Sequence, residues 1–175
     1  MFRLSRVTDY GIVILAELAR HRPEDEPAEL ISGTPSLNAR ELAERADLPL
    51  PMVSKVLKTL TRAGVLESQR GTKGGYSLAR DPEELTVSAM IAALEGPLAL
   101  TQCSDSAAAC DLEATCSVRS PWLIINRVVQ NSLASITLAD LTNPDFTAQH
   151  TPLAGLAELQ RLADAPAKTA SEEAL

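Results

Sequence analysis

Apolar residues recur at helical spacing in several windows of the chain, and polar breaks separate them. Residues 11–19, GIVILAELA, put Ile12, Leu15, Leu18 and Ala19 at the spacing of a buried helix, with Ser5 or Thr8 available as N-cap. Three prolines, one glycine and four acids over residues 22–35 then read as a solvated loop. Residues 39–46, ARELAERA, predict a short helix facing inward through Leu42 and Ala43, and residues 47–50 a tight turn. Pro51 fits the first turn of a second helix, where its missing N–H costs nothing. Along that helix Val53, Val56, Leu57 and Leu60 form the buried stripe, while Ser54, Lys55, Lys58, Thr61 and Arg62 share the other face. Gly64 is placed to end it.

Two short strands, 65–70 and 75–80, flank Gly71, Thr72, Lys73 and Gly74, which predicts a β-hairpin with Arg70 and Lys73 at its tip. Asp81 and Pro82 open a turn, and residues 86–96 predict a short helix with Val87, Ile91 and Leu94 at core spacing. The longest amphipathic run is 121–141. Its apolar stripe is Trp122, Ile125, Val129, Leu133 and Ile136, with Asn126, Arg127, Gln130 and Asn131 expected to turn away. Such a stripe packs either on its own domain or on a twin. Beyond residue 142, Leu153, Leu156, Leu159 and Leu162 suggest one weak helix, and the last dozen residues read as disordered.

Charge sharpens this picture. The chain of 175 residues carries a net −7, which taken whole argues against nucleic acid. Residues 81–175 hold more than all of that excess, at −9, whereas residues 51–80 carry six Lys/Arg against Glu67 alone. A helix-turn-helix with a basic outer face, followed by a two-stranded ribbon, is an arrangement that reads double-stranded DNA. The ribbon is a wing suited to tracking phosphates or entering a minor groove. No run of 18 or more uncharged apolar residues occurs, so no membrane span is expected.

All three cysteines lie in residues 100–119, LTQCSDSAAACDLEATCSVR, among side chains too small and polar to bury them as core. Cys103, Cys110 and Cys116 are an odd set, and the charged opening MFRLSRVTDYGIV lacks a leader pattern, so a reduced, cytoplasmic setting is expected. Three thiolates are one short of the four donors that zinc or an iron–sulfur cluster usually takes. Zinc, a cluster and a loop with incidental thiols all remain open on spacing alone. His21 and His150 are further donors, but neither lies in a motif.

The opening RLSRVTDYG, the segment ARELAERADLP, the wing RGTKGGYSLARDPEELTV and the three-cysteine loop before a long apolar helix carry a family resemblance. Over residues 1 to about 141 the chain resembles the Rrf-type winged-helix regulators, the family of the iron–sulfur regulator IscR and the nitric-oxide sensor NsrR, and is most similar to regulators of the SUF cluster-assembly system. The resemblance implies a mainly α fold with a small β-hairpin wing: a winged helix-turn-helix domain over 1–96, a cluster-binding loop over 97–120, a dimerisation helix over 121–141 and a partly disordered segment over 142–175.

It also implies that Cys103, Cys110 and Cys116 hold a 2Fe-2S or 4Fe-4S cluster, with a first gap of six residues where common members have five. Arg119 stands where IscR has a ligating histidine, and arginine stays protonated. Asp9 stands where NsrR takes an aspartate from the partner subunit, making it the candidate fourth ligand; a carboxylate favoured by the dipole of a helix's first turn is the competing explanation. The function so implied is a homodimeric, operator-binding regulator of cluster-assembly genes. A nitric-oxide or redox-sensing repressor of the same family, or a zinc-stabilised or metal-free winged helix acting through protein partners, is the alternative. An enzyme is not expected, because no histidine base sits in a motif with a cysteine and GTKGG lies on a hairpin turn.

Overall fold

The computed structural model describes residues 4–21, 36–71, 74–105, 110–112 and 115–146. Helix α1 (Arg6–Arg20) starts at Ser5, whose side chain accepts from the Thr8 N–H and satisfies one orphan amide of the first turn. It buries Ile14, Leu15 and Leu18, whereas Ile12 is only half-buried. Ile14 is thus a core residue that the predicted stripe omitted. The loop expected over 22–35 lies outside the described residues.

Helix α2 (Ala39–Arg45) is fixed by a capping box: Asn38 accepts from the backbone N–H of Glu41, and the Glu41 carboxylate accepts from the Asn38 N–H. Leu42 and Ala43 are buried as expected. The turn to the next helix passes through Asp47 at φ 51° and Pro49 as N-cap. Helix α3 (Leu50–Arg62) then carries Pro51 in its first turn and buries Val53, Val56, Leu57 and Leu60 completely. Its end is a Schellman motif. Gly64, at φ 70°, lets the Val65 N–H reach the Leu60 carbonyl at 3.0 Å and its own N–H reach Thr61 at 3.1 Å.

Strands β1 (Leu66–Ser68) and β2 (Tyr76–Leu78) pair antiparallel, Glu67 opposite Ser77, forming the hairpin shorter than predicted. Leu37 adds a one-residue third rung, exchanging both backbone hydrogen bonds with Tyr76. Glycine is required at 75 for that approach, because a Cβ there would meet the Leu37 carbonyl at 2.9 Å. Helix α4 (Val87–Glu95), capped by Thr86, completes the base with Val87, Met90 and Ile91 buried and Leu94 half-buried. Met90, fully buried, was not on the predicted stripe.

The predicted single run over 121–141 is two helices, α6 (Arg119–Ala134) and α7 (Leu138–Thr142), preceded by the short α5 (Gln102–Asp105). Thr137 and Asp140 form a second capping box, which starts α7 afresh instead of continuing α6. Between the two, the chain runs back along the foot of α4: the Val87 N–H donates to the Ile136 carbonyl and the Leu138 N–H to the Leu85 carbonyl, each at 2.8 Å. Leu138 thereby joins the core beside α1 with no exposure. The architecture is mainly helical with one antiparallel hairpin. The weak helix and disordered tail expected after residue 146 lie outside the described residues.

Candidate functional site

The outer face of α3 is built by the same periodicity that buries its stripe. Ser54, Lys55, Lys58 and Arg62 are exposed, and no acidic side chain forms a salt bridge with Lys55, Lys58 or Arg62 among the described residues. Thr61 departs from the expectation. It is half-buried, and its hydroxyl donates to the Leu57 carbonyl at 2.8 Å, the back-bond open to threonine one turn on in a helix. Arg70 is exposed at the end of the hairpin, and Lys73 lies outside the described residues. The hairpin foot follows α3 directly, since the Ala79 N–H donates to the Val65 carbonyl just past the Schellman turn. One basic helix and one ribbon therefore share a rigid base.

The cysteines follow α4 in the chain. All three are free and half-buried. Cys103 sits in α5, with its Sγ 3.2 Å from the Thr101 hydroxyl, which is also 2.9 Å from Ser104 Oγ. Cys110 and Cys116 flank residues 113–114, which lie outside the described set, as do 106–109. Among the described residues, no three Cys, His, Asp or Glu side chains converge to hold a metal ion. The structure thus places the thiols in one segment without gathering them around a point.

Asp9 is exposed in the first turn of α1. His21 caps the far end of that helix, and His150 lies outside the described residues. The start of α1 is tied to the end of α4 through Glu95, whose carboxylate accepts from the Ser5 N–H at 2.9 Å and from the Thr8 hydroxyl. Those bonds, first from Thr8 and then from Ser5, hold the Glu95 carboxyl below its ordinary range. Asp9 therefore stands next to a junction from which the cysteine segment departs.

Helix α6 departs from the sequence expectation at Asn126 and Gln130, while Leu133 and Ile136 of the expected stripe pack against the core. Asn126 faces inward at 6% exposure and accepts the Leu100 N–H at 2.9 Å, while the Gln130 side-chain amide donates to the Leu98 carbonyl at 2.8 Å. Trp122 and Ile125, on the stripe expected to pack on its own domain or on a twin, are each 40% exposed in the single chain. The inward pair was missed because amide side chains read as solvated. The available signal was the irregular stretch after Pro97, whose backbone groups needed partners.

The model of the Rrf2 family, described as an iron-dependent transcriptional regulator, matches residues 4–144. The chain belongs to the Rrf2 family. A Synechocystis sp. protein named as an HTH-type transcriptional regulator is 34% identical over 140 residues, covering 79% of this chain and 86% of that protein. Among solved Rrf2-type structures, CymR, the global cysteine regulator of B. subtilis, aligns with a TM-score of 0.60 at 27% identity, covering 81% of this chain and 97% of the other. IscR of T. potens aligns with a TM-score of 0.58 at 28% identity, covering 80% and 85%. The protein is accordingly a winged-helix transcriptional regulator whose relatives are named as regulators and not as enzymes. Among the described residues no helix is long and apolar enough to cross a membrane.

Proposed function

We propose that this Rrf2 regulator is a cytoplasmic homodimer that senses an iron–sulfur cluster and controls cluster-assembly genes by binding their operator. One observation carries the reading: three free, half-buried thiols precede a helix whose Trp122 and Ile125 are exposed, in a chain whose α3 presents a cationic face with no salt bridge among the described residues. Three soft sulfur donors suit such a cluster chemically. In this reading residues 1–96 form the DNA-binding unit, residues 97–120 the cluster loop, the helical run within 121–141 the dimer contact and residues 142–175 a C-terminal appendage.

Each residue then has a task. Cys103, Cys110 and Cys116 hold the cluster, which requires the loop to draw them together. Asp9 of the partner subunit supplies the fourth ligand, its carboxylate being open to solvent beside the Glu95 junction. When bound, the cluster supplies iron that responds to oxidant, nitric oxide and iron supply. A shift in operator affinity follows only to the extent that one arrangement of the dimer binds the cluster better. Ser54, Lys55, Lys58 and Arg62 face the major groove, and Arg70 and Lys73 contact phosphates from the hairpin, with Thr61 at the margin of that surface. A two-fold dimer places a second α3 one helical turn along the duplex.

The test is anaerobic purification with an absorption spectrum, iron and sulfide analysis, and operator titration. Visible charge-transfer bands with matching iron and sulfide, lost in Cys110→Ala while the dimer stays folded, are the expected result. A colourless protein carrying zinc, with a Cys110→Ala variant that fails to fold, would replace the sensor with a structural site.

A further inference from the structure

The stretch joining α4 to α5 has no regular structure over residues 96–101, so its amides and carbonyls need partners from elsewhere. Two side chains of α6 provide them. Asn126 takes the Leu100 N–H and Gln130 gives to the Leu98 carbonyl, four residues apart and therefore one above the other on the helix. From Leu100 the chain passes directly to Thr101, whose hydroxyl contacts both Cys103 Sγ and Ser104 Oγ. On the helix itself, Asn126 lies one turn from Trp122 and next to Ile125, the exposed apolar residues. Side-chain hydrogen bonds joined by the main chain of residues 100–101 therefore connect a thiol to the edge of an exposed apolar face.

We infer that Asn126 and Gln130 are positioning residues that lock the Cys103 segment to α6, so that a change at the Cys103 sulfur is felt as a change in how α6 meets a second copy of the chain. This rests on the dimer reading above, but it does not require the cluster. An amide pair suits the task better than apolar packing, because hydrogen bonds of fixed direction hold one register of the segment against the helix. Breaking both bonds frees the segment from the helix and leaves the apolar face intact.

The experiment uses the full chain carrying Cys110→Ser and Cys116→Ser, so that iodoacetamide modifies Cys103 alone. Sedimentation gives the dimer dissociation constant before and after modification, with Asn126 and Gln130 intact and with Asn126→Leu plus Gln130→Met. With the amides intact, modification is expected to weaken the dimer about fivefold or more, the scale of a modest coupling. In the double variant, circular dichroism and the unmodified dimer constant stay near the parent values while the response to modification disappears. Asn126→Asp, which keeps an acceptor oxygen for Leu100, restores part of the response.

An equal response in parent and double variant, or no response in the parent, overturns the inference. Iron and sulfide analysis of the three-cysteine protein, run in parallel, decides the cluster reading separately: a chain that takes up no cluster can still show the coupling, and a chain that takes one up can lack it.

Discussion

Neutralising Lys55, Lys58 and Arg62 together, each to Gln, tests the DNA face most directly. All three are exposed on α3 and remote from its buried stripe, so the fold should change by no more than about 0.5 kcal/mol per site. If each cation neutralises one phosphate, each removes about 0.9 from the slope of log K against log salt, or about 2.7 for the set. Between 50 and 200 mM salt, each lost contact then reduces the fall in affinity by a factor of about 3.5, and three by about 40. Fluorescence anisotropy of a labelled operator duplex at four or five salt concentrations measures that slope. A triple variant with the parent slope and the parent affinity would show that α3 does not face the DNA, whatever its charge.

Two other perturbations probe the framework. Leu57, without exposure in the centre of α3, should cost about 2 to 5 kcal/mol on truncation to Ala, read as a shift in the urea midpoint; a loss below about 1 kcal/mol would mean the core closes over the gap. Glu95 has its carboxyl held below the ordinary value of 4.5 by Thr8 and Ser5, so its contribution is fully present above that value and fades as pH falls through the lower folded value. The site is exposed, so solvent screens the effect. Glu95→Gln should flatten the acid side of a stability–pH curve slightly and leave the neutral side level; an unchanged acid limb would remove Glu95 from the junction.

The sequence was most legible where one helix meets one core. The four residues of the α3 stripe, the Gly64 stop and the inward pair of α2 follow from period and end chemistry alone, because those residues are buried by near neighbours. Ile14 and Met90 escaped because α1 and α4 are covered on more than one side, and a single-stripe template marks only part of what lies inside. In α6 the pattern identified which side is apolar and could not say what lies against it. The backbone of 98–100 took Asn126 and Gln130 as partners, and of the apolar stripe Leu133 and Ile136 pack on the core while Trp122 and Ile125 stay outside. The break before α7 was also hidden, since Ile136 fits a helical stripe as well as it fits the extended bridge it occupies. The cysteine segment was legible as chemistry and not as geometry, because small polar residues carry little packing information.

The bridge between residues 85–87 and 136–138 has one more consequence. Its two extended segments hold the start of α4 and the return of the chain after α6 side by side, so the stretch between α4 and α6 joins two helices already tied to each other and to the base. Lengthening such a loop adds only about 0.6 kcal/mol per doubling, and the base need not register the change. A cysteine segment with different donors, or none, could be spliced between α4 and α6, leaving the packing of those two helices on each other in place.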